Sequence, residues 1–236
     1  MTQLRVTLAG ESGQLTETFD IGPTRYVRTR PWEWLSPIAD ACRTAGISPV
    51  VVPYGPFDAG IADPDAWLIS DLPRPAAAEF GILDRLRDGV PRASGLVMVG
   101  GFFSFSGFDG LGGWQDASSA GLLPVAMDPV SDATDAPDGV TIVPSSDCPR
   151  ALAEILAAAP PFYVYNRLEP RDGSLVLARF SDGAPALVCS AAGGHGLVAF
   201  ASDLMPHWAP TLSVWPRFPD LVRALCELAA SGPQPR

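Results

Sequence analysis

Short apolar runs alternate with stretches of helical spacing through the first hundred residues. Leu4–Ala9 alternates and is rich in β-formers, and Gly10-Glu11-Ser12-Gly13 breaks it. A polar stretch then runs to Pro31 and reads as a loop. Trp32–Ala45 sets Trp32, Leu35, Ile38, Ala39 and Cys42 at helical spacing, with a proline near its start and Gly46 just past its end. Pro49–Pro53 and Ala66–Ser70 read as buried strands, Ala76–Asp88 as a helix with Leu83 and Leu86 inward, and Leu96–Val99 as a further buried strand. Strands that alternate with helices predict a mostly parallel sheet covered on both faces.

The second half has a different rhythm. Phe162–Tyr165, Ser174–Phe180, Ala186–Ser190 and Leu197–Ser202 are apolar strands separated by Gly/Asp turns, which predicts hairpins added antiparallel to the sheet edge. Asp128–Gly139 is acidic, carries two prolines and reads as a surface loop. Phe218–Ala230 is a closing amphipathic helix. No linker or internal repeat divides the chain, so residues 1–231 read as one domain with a frayed tail at 232–236.

Composition narrows the partners. The 236 residues carry a net charge of −10, which argues against nucleic-acid binding, since that requires a basic footprint. No apolar run reaches the ~18 residues of a membrane span. The opening MTQLRVTLAG reads as a strand rather than a leader, so a cytoplasmic protein is expected. Cys42, Cys148, Cys189 and Cys226 are scattered, with no C-x-x-C, and read as reduced thiols rather than disulfides. No His/Cys/carboxylate set has metal-ligand spacing, and no cofactor is expected.

The candidate chemistry centres on Gly95–Gly113, GLVMVGGFFSFSGFDGLGG. A buried strand that stops at Gly100-Gly101 places the following loop at the carboxyl edge of the sheet, where α/β proteins bind ligands. The two glycines expose N–H groups suited to an anion or oxyanion. Phe102 and Phe103 would wall the pocket, and Ser104 or Ser106 could supply a hydroxyl, although the run is not a G-x-S-x-G elbow. Asp71, Asp203 and the pair Glu11 and Ser12 each follow a strand, so they converge on the same edge; helix capping and arginine pairing are the plainer reading. His207, before Trp208, has the pKa range of a general acid or base. His195 sits in a hairpin turn and reads as exposed. Arg25, Arg28 and Arg30, interleaved with Tyr26, Trp32 and Trp34, would either close over the site as an anion-binding lid or pair with the chain's own acids.

Taken in order, these motifs resemble the class I glutamine amidotransferase-like superfamily, closest to small stand-alone bacterial members and more distantly the trehalose-utilisation-type branch. The resemblance rests on Gly10-Glu11-Ser12, Ile69-Ser70-Asp71, Met98-Val99-Gly100-Gly101 with Ser104-Phe105 and Gly107, Leu123-Pro124-Val125, Tyr165-Asn166, and Ser202-Asp203 with Pro206-His207-Trp208. It implies a flavodoxin-like three-layer α/β sandwich with a mostly parallel sheet and an antiparallel C-terminal extension. It also implies a cysteine nucleophile on the turn after Leu96–Val99, and a late histidine and glutamate. Here Gly100 or Gly101 takes the nucleophile's place, and Trp208-Ala209 follows His207 where Pro-Glu is expected.

Two readings follow. In the first, the chain is an atypical hydrolase or transferase acting on a small polar or anionic metabolite. His207 serves as acid/base with Asp203, Asp71 or Ser104, and Glu11, Ser12, Gly100, Gly101, Phe102, Phe103, Ser106, Asn166, Trp208 and Arg28 line the site. In the second, it is a catalytically degenerate small-molecule-binding or assembly protein, with the Phe102–Phe108 aromatics forming a homo-oligomer interface.

Overall fold

The computed structural model describes residues 3–10, 12–52, 55–58, 60–90, 92–116 and 119–233, with the backbone alone at 12–15, 30–33 and 120. Its centre is an eight-stranded mixed sheet. The first five elements of the chain are β1 (Arg5–Gly10), β2 (Ser12–Ile21), β3 (Thr24–Glu33), α1 (Ser36–Thr44) and β4 (Ser48–Val51). Next come β5 (Ala66–Ser70), α2 (Arg74–Glu79), α3 (Ile82–Gly89) and β6 (Gly95–Val99). The middle of the chain gives β7 (Val125–Met127), β8 (Ala133–Val140), β9 (Ile142–Pro144), α4 (Arg150–Leu156), β10 (Phe162–Asn166) and β11 (Leu168–Pro170). The chain closes with β12 (Leu175–Phe180), β13 (Pro185–Ala192), β14 (His195–Phe200) and α5 (Phe218–Ser231).

The sheet order is β4-β1-β5-β6-β14-β13-β12-β9. From β4 to β14 neighbours run parallel, and from β14 to β9 they run antiparallel. Counting the parallel strands alone, the order is 2-1-3-4-5, the flavodoxin-like arrangement. β5 and β6 are buried along their whole length, which is why they read as unbroken apolar runs. α5 buries Phe218, Leu221, Val222, Leu225 and Cys226 along one stripe and packs against β5, β6, β14 and α1. All four cysteines are free and buried. Among the described residues no helix is long and apolar enough to cross a membrane.

Several expectations are corrected. The polar stretch before Pro31 is a hairpin, β2 with β3, paired from Ser12↔Glu33 to Ile21↔Thr24. Its charges are cross-strand partners: Arg25 binds Asp20 and Arg28 binds Glu17. Gly22 takes φ +59 at the first central position, while Pro23 cannot. That excludes a type I′ turn and fits the glycine-first type II′. Because β3 runs through Glu33, Trp32 belongs to a strand, and α1 begins only at Ser36, just before Pro37. The Ala76–Asp88 helix is two helices, broken at Gly81.

The acidic Asp128–Gly139 segment is a turn followed by strand β8, which pairs antiparallel with β10 in a separate ribbon. Phe162–Tyr165 therefore does not extend the main sheet. The antiparallel half instead starts from β14, which lies parallel beside β6. His195 is half-buried rather than exposed, and its Nδ1 lies 2.9 Å from the carbonyl of Ala230 in the last turn of α5.

Candidate functional site

Strands β5, β6 and β14 end side by side, so the residues that follow them share the carboxyl edge of the sheet. After β5 comes Asp71, at φ +50, a left-handed conformation that is uncommon outside glycine and that clusters at functional positions. After β6 comes Gly100-Gly101. After β14 comes Asp203, fully buried, with His207 four residues on.

His207 Nδ1 lies 3.0 Å from Asp203 Oδ2. A carboxylate only accepts, so Nδ1 carries the proton and Nε2 is the atom free to exchange one. The second oxygen of Asp203 accepts the Met205 N–H at 2.8 Å, which fixes the carboxylate. The hydrogen bond to Asp203 raises the His207 pKa above its usual value, against the pull of partial burial, with the charges of Asp203 and Asp71 adding to the rise. The imidazole stacks on Trp34, centroids 4.6 Å apart at 29°. Trp34, Pro37, Met205, Pro206 and His207 line an open pocket of 550 Å³.

Asp71 is the second titratable group of the cluster. Burial pushes its carboxyl up to about 7. The Phe103 N–H, which it accepts on Oδ1, lowers the value; the Asp203 charge raises it and His207 lowers it. The edge therefore holds a carboxyl that titrates near neutrality beside an imidazole whose pKa is raised, two groups of the kind acid–base chemistry uses.

The Gly-Gly turn has no spare amides. Gly100 N–H is shared between the carbonyls of Phe200 at 2.9 Å and Ser202 at 3.0 Å. Gly101 N–H donates to Asn166 Oδ1 at 3.0 Å, and Asn166 Nδ2 donates back to the Gly101 carbonyl at 3.3 Å. The oxyanion role expected of these amides is therefore already occupied by the protein. The same crowding explains why glycine stands here. A Cβ on Gly100 would lie 2.5 Å from Asn166 Oδ1, and one on Gly101 would lie 2.3 Å from Asp71 Oδ1.

Asn166 also donates to Asp132 Oδ1 at 2.7 Å, and the two oxygens of Asp132 accept the N–H groups of Ser106 and Gly107, each at 2.9 Å. Burial holds the Asp132 carboxyl up at about 6. Asp132 is thus the buried post that pins the 101–107 loop. An acidic residue in an acidic stretch carries no sequence signal for that role, because only the β8–β10 pairing brings it under the loop.

The expected site residues separate into three groups. His207, Asp203 and Asp71 come together. Ser104, Ser106 and Asn166 are buried beneath them: Ser104 Oγ accepts the Asp71 N–H at 3.0 Å, and Ser106 Oγ donates to the Asp128 carbonyl. Neither serine hydroxyl lines the pocket beside His207. Phe102 and Phe103 stay about two-fifths exposed, and Phe102 meets the buried Trp208 ring edge-on at 5.3 Å. Arg28 is on the hairpin, held by Glu17. Of Ser12 only the backbone is described, at the start of β2, and Glu11 lies outside the described residues. Trp34 was seen in the sequence only as part of an aromatic–arginine cluster; the structure makes it the platform for His207.

Known proteins can be compared with this geometry. The chain superposes on cytoplasmic protein STM1381 from Salmonella typhimurium LT2 with a TM-score of 0.80 at 24% identity, covering 96% of this chain and 100% of that one. Cytoplasmic protein STM3548 from Salmonella typhimurium gives 0.81 at 23%, covering 97% and 100%. An exo-beta-1,4-mannosidase, Op5Man5 from Opitutaceae bacterium strain TAV5, gives 0.52 at 13%; the match takes in 99% of this chain but only 37% of the enzyme. These likenesses establish the fold. No protein of curated function matches the sequence. A family profile described as "Putative glutamine amidotransferase" matches residues 67–227, from β5 through α5, which covers Asp71, the Gly-Gly turn, Asp203 and His207. The chain belongs to this glutamine amidotransferase-like family.

Proposed function

We propose that the chain is an atypical hydrolase or transferase in which His207, oriented by Asp203, and Asp71 form an acid–base pair acting on a small polar metabolite. The reading rests on one observation: the 3.0 Å His207–Asp203 contact beside a carboxyl held near neutrality. For a primary amide, His207 Nε2 takes a proton from water as its oxygen attacks the carbonyl carbon. Asp71 protonates the nitrogen as the C–N bond breaks, and acid and ammonia leave. No protein nucleophile is required. The carboxyl groups of Asp71 and Asp203 lie beside His207, while Arg28 is held by Glu17 and Arg74 by Asp116, so a neutral or cationic substrate suits the site better than an anionic one.

The occupied Gly100 and Gly101 amides and the buried Ser104 favour the second reading, a binding protein that has lost its chemistry. Ammonia release from glutamine and a panel of primary amides separates the two. Under the first reading, His207→Gln lowers release by ~10²–10⁴-fold, the usual contribution of a general acid or base. Iodoacetamide has no effect, because every cysteine is buried. Release that survives His207→Gln, or none across the panel, favours the second. The description of two fold relatives as cytoplasmic proteins supports a cytoplasmic setting. The sheet's use of strands from both ends of the chain supports a single domain over 1–231.

A further inference from the structure

The β2–β3 hairpin leaves the body of the protein. From Thr16 to Thr29 every residue but Glu17 is exposed, and among the described residues neither strand packs extensively on any other element. A two-stranded ribbon of this kind is marginal in water on its own. Yet the sequence invests it with an apolar face. Phe19 and Tyr26 stack across the strands, centroids 5.6 Å apart at 12°, and Ile21 sits on the same face. At the same edge of the sheet, past β6, lies a second unmatched apolar patch made by Phe108, Leu111 and Val130, each more than half exposed. The patch is held together by the Leu111 N–H bond to the Phe108 carbonyl and by the Ser131 Oγ bond to the Gly107 carbonyl.

We propose that the hairpin is a dimer arm: in a two-fold pair of this chain, each arm lays its Phe19–Tyr26 face on the partner's Phe108–Leu111–Val130 rim. Two unmatched patches on one chain are both satisfied when two copies exchange them about a two-fold axis, and the assembly then closes. Ten-residue strands reach ~34 Å, enough to leave one protomer and cross the rim of another. The six apolar side chains are 43–69% exposed. Taking ~200 Å² for a full aromatic or large aliphatic side chain, they offer on the order of 600 Å² per protomer. With the flanking threonines and ion pairs this approaches the ~800 Å² per partner of a standard stable interface. The charge of −10 disfavours nucleic acid or an anionic membrane as the occupant. The arm is the part suited to meet a second acidic copy, since Asp20–Arg25 and Glu17–Arg28 cancel one another. The inference does not depend on the reaction proposed above.

Sedimentation equilibrium of the full chain at micromolar concentration is expected to give twice 24.8 kDa. The arm variant Phe19→Asp/Tyr26→Asp and the rim variant Leu111→Asp/Val130→Asp should each sediment as monomers with unchanged circular dichroism. An equimolar mixture of the two should recover dimer, because one intact arm then meets one intact rim. As a check that does not place charge on either patch, Ile21→Cys/Val130→Cys should oxidise to a covalent dimer, the native thiols being buried. A monomeric wild type overturns the proposal. So does a dimer that survives the rim variant, which would mean that arms pair with arms.

Discussion

Asn166 closes on Gly101 from both sides: its Oδ1 accepts the glycine N–H at 3.0 Å and its Nδ2 donates to the glycine carbonyl at 3.3 Å. A side-chain amide thus stands in for a neighbouring strand at the point where a hydrolase turn would present its oxyanion hole. Replacing Asn166 with alanine leaves the buried Gly101 N–H without its acceptor and takes one of three donors from Asp132. The expected cost is about 2–3 kcal/mol, read as a lower urea midpoint with an unchanged slope. Asn166→Asp places a second carboxylate against Asp132, so its deficit should be larger at pH 8 than at pH 5.

Installing a cysteine on the turn should not create a thiol enzyme. The Cβ of Gly101→Cys would fall 2.3 Å from Asp71 Oδ1, and that of Gly100→Cys would fall 2.5 Å from Asn166 Oδ1. Gly101→Ala alone is expected to cost about 2–3 kcal/mol through overpacking. Thermal melts of the two alanine variants test this; a melt equal to wild type at both positions would show that the turn has room.

Folding stability should fall as pH rises from about 4 to 7. Asp71, raised from 3.8 to about 7, and Asp132, raised to about 6, hold protons more tightly folded than unfolded. Their contribution is therefore complete below the unfolded pKa and is lost as pH passes the folded one. His207 acts in the same direction: its contribution is present below 6.5 and fades through its raised folded value. Asp71→Asn cannot ionise, so it should flatten the decline and exceed wild-type stability at pH 8. Denaturant midpoints at several pH values between 4 and 8 provide the measurement.

The His207 pKa should report its partner directly. With two histidines in the chain, the imidazole signals are readily assigned by NMR. Asp203→Asn removes the largest cause of the rise, so the His207 titration should move to lower pH. Trp34→Ala should leave the Asp203 contact intact but expose the ring and weaken ligand binding in the Trp34–Met205 pocket. A titration that Asp203→Asn does not move would remove Asp203 as the orienting group.

The apolar runs by themselves determined β1, β5, β6 and α5 to within two residues, because strands buried on both faces and a helix with one buried stripe leave unambiguous periodicities. Strand ends likewise marked Asp71, Asp203 and His207 as candidates before any coordinates, since a parallel sheet brings its carboxyl ends to one edge. The hairpin was legible in principle, from Ile21-Gly22-Pro23-Thr24 between β-formers, but its paired charges disguised it as a loop. What the tertiary structure alone decided is which polar groups are already used. Asn166 reaches Gly101 across 65 residues of sequence, and Asp132 reaches Ser106 and Gly107 across 26 and 25. Ser104 is spent on Asp71 in the same way. Burial and hydrogen-bond occupancy are properties of three-dimensional neighbours, and no spacing along the chain records them.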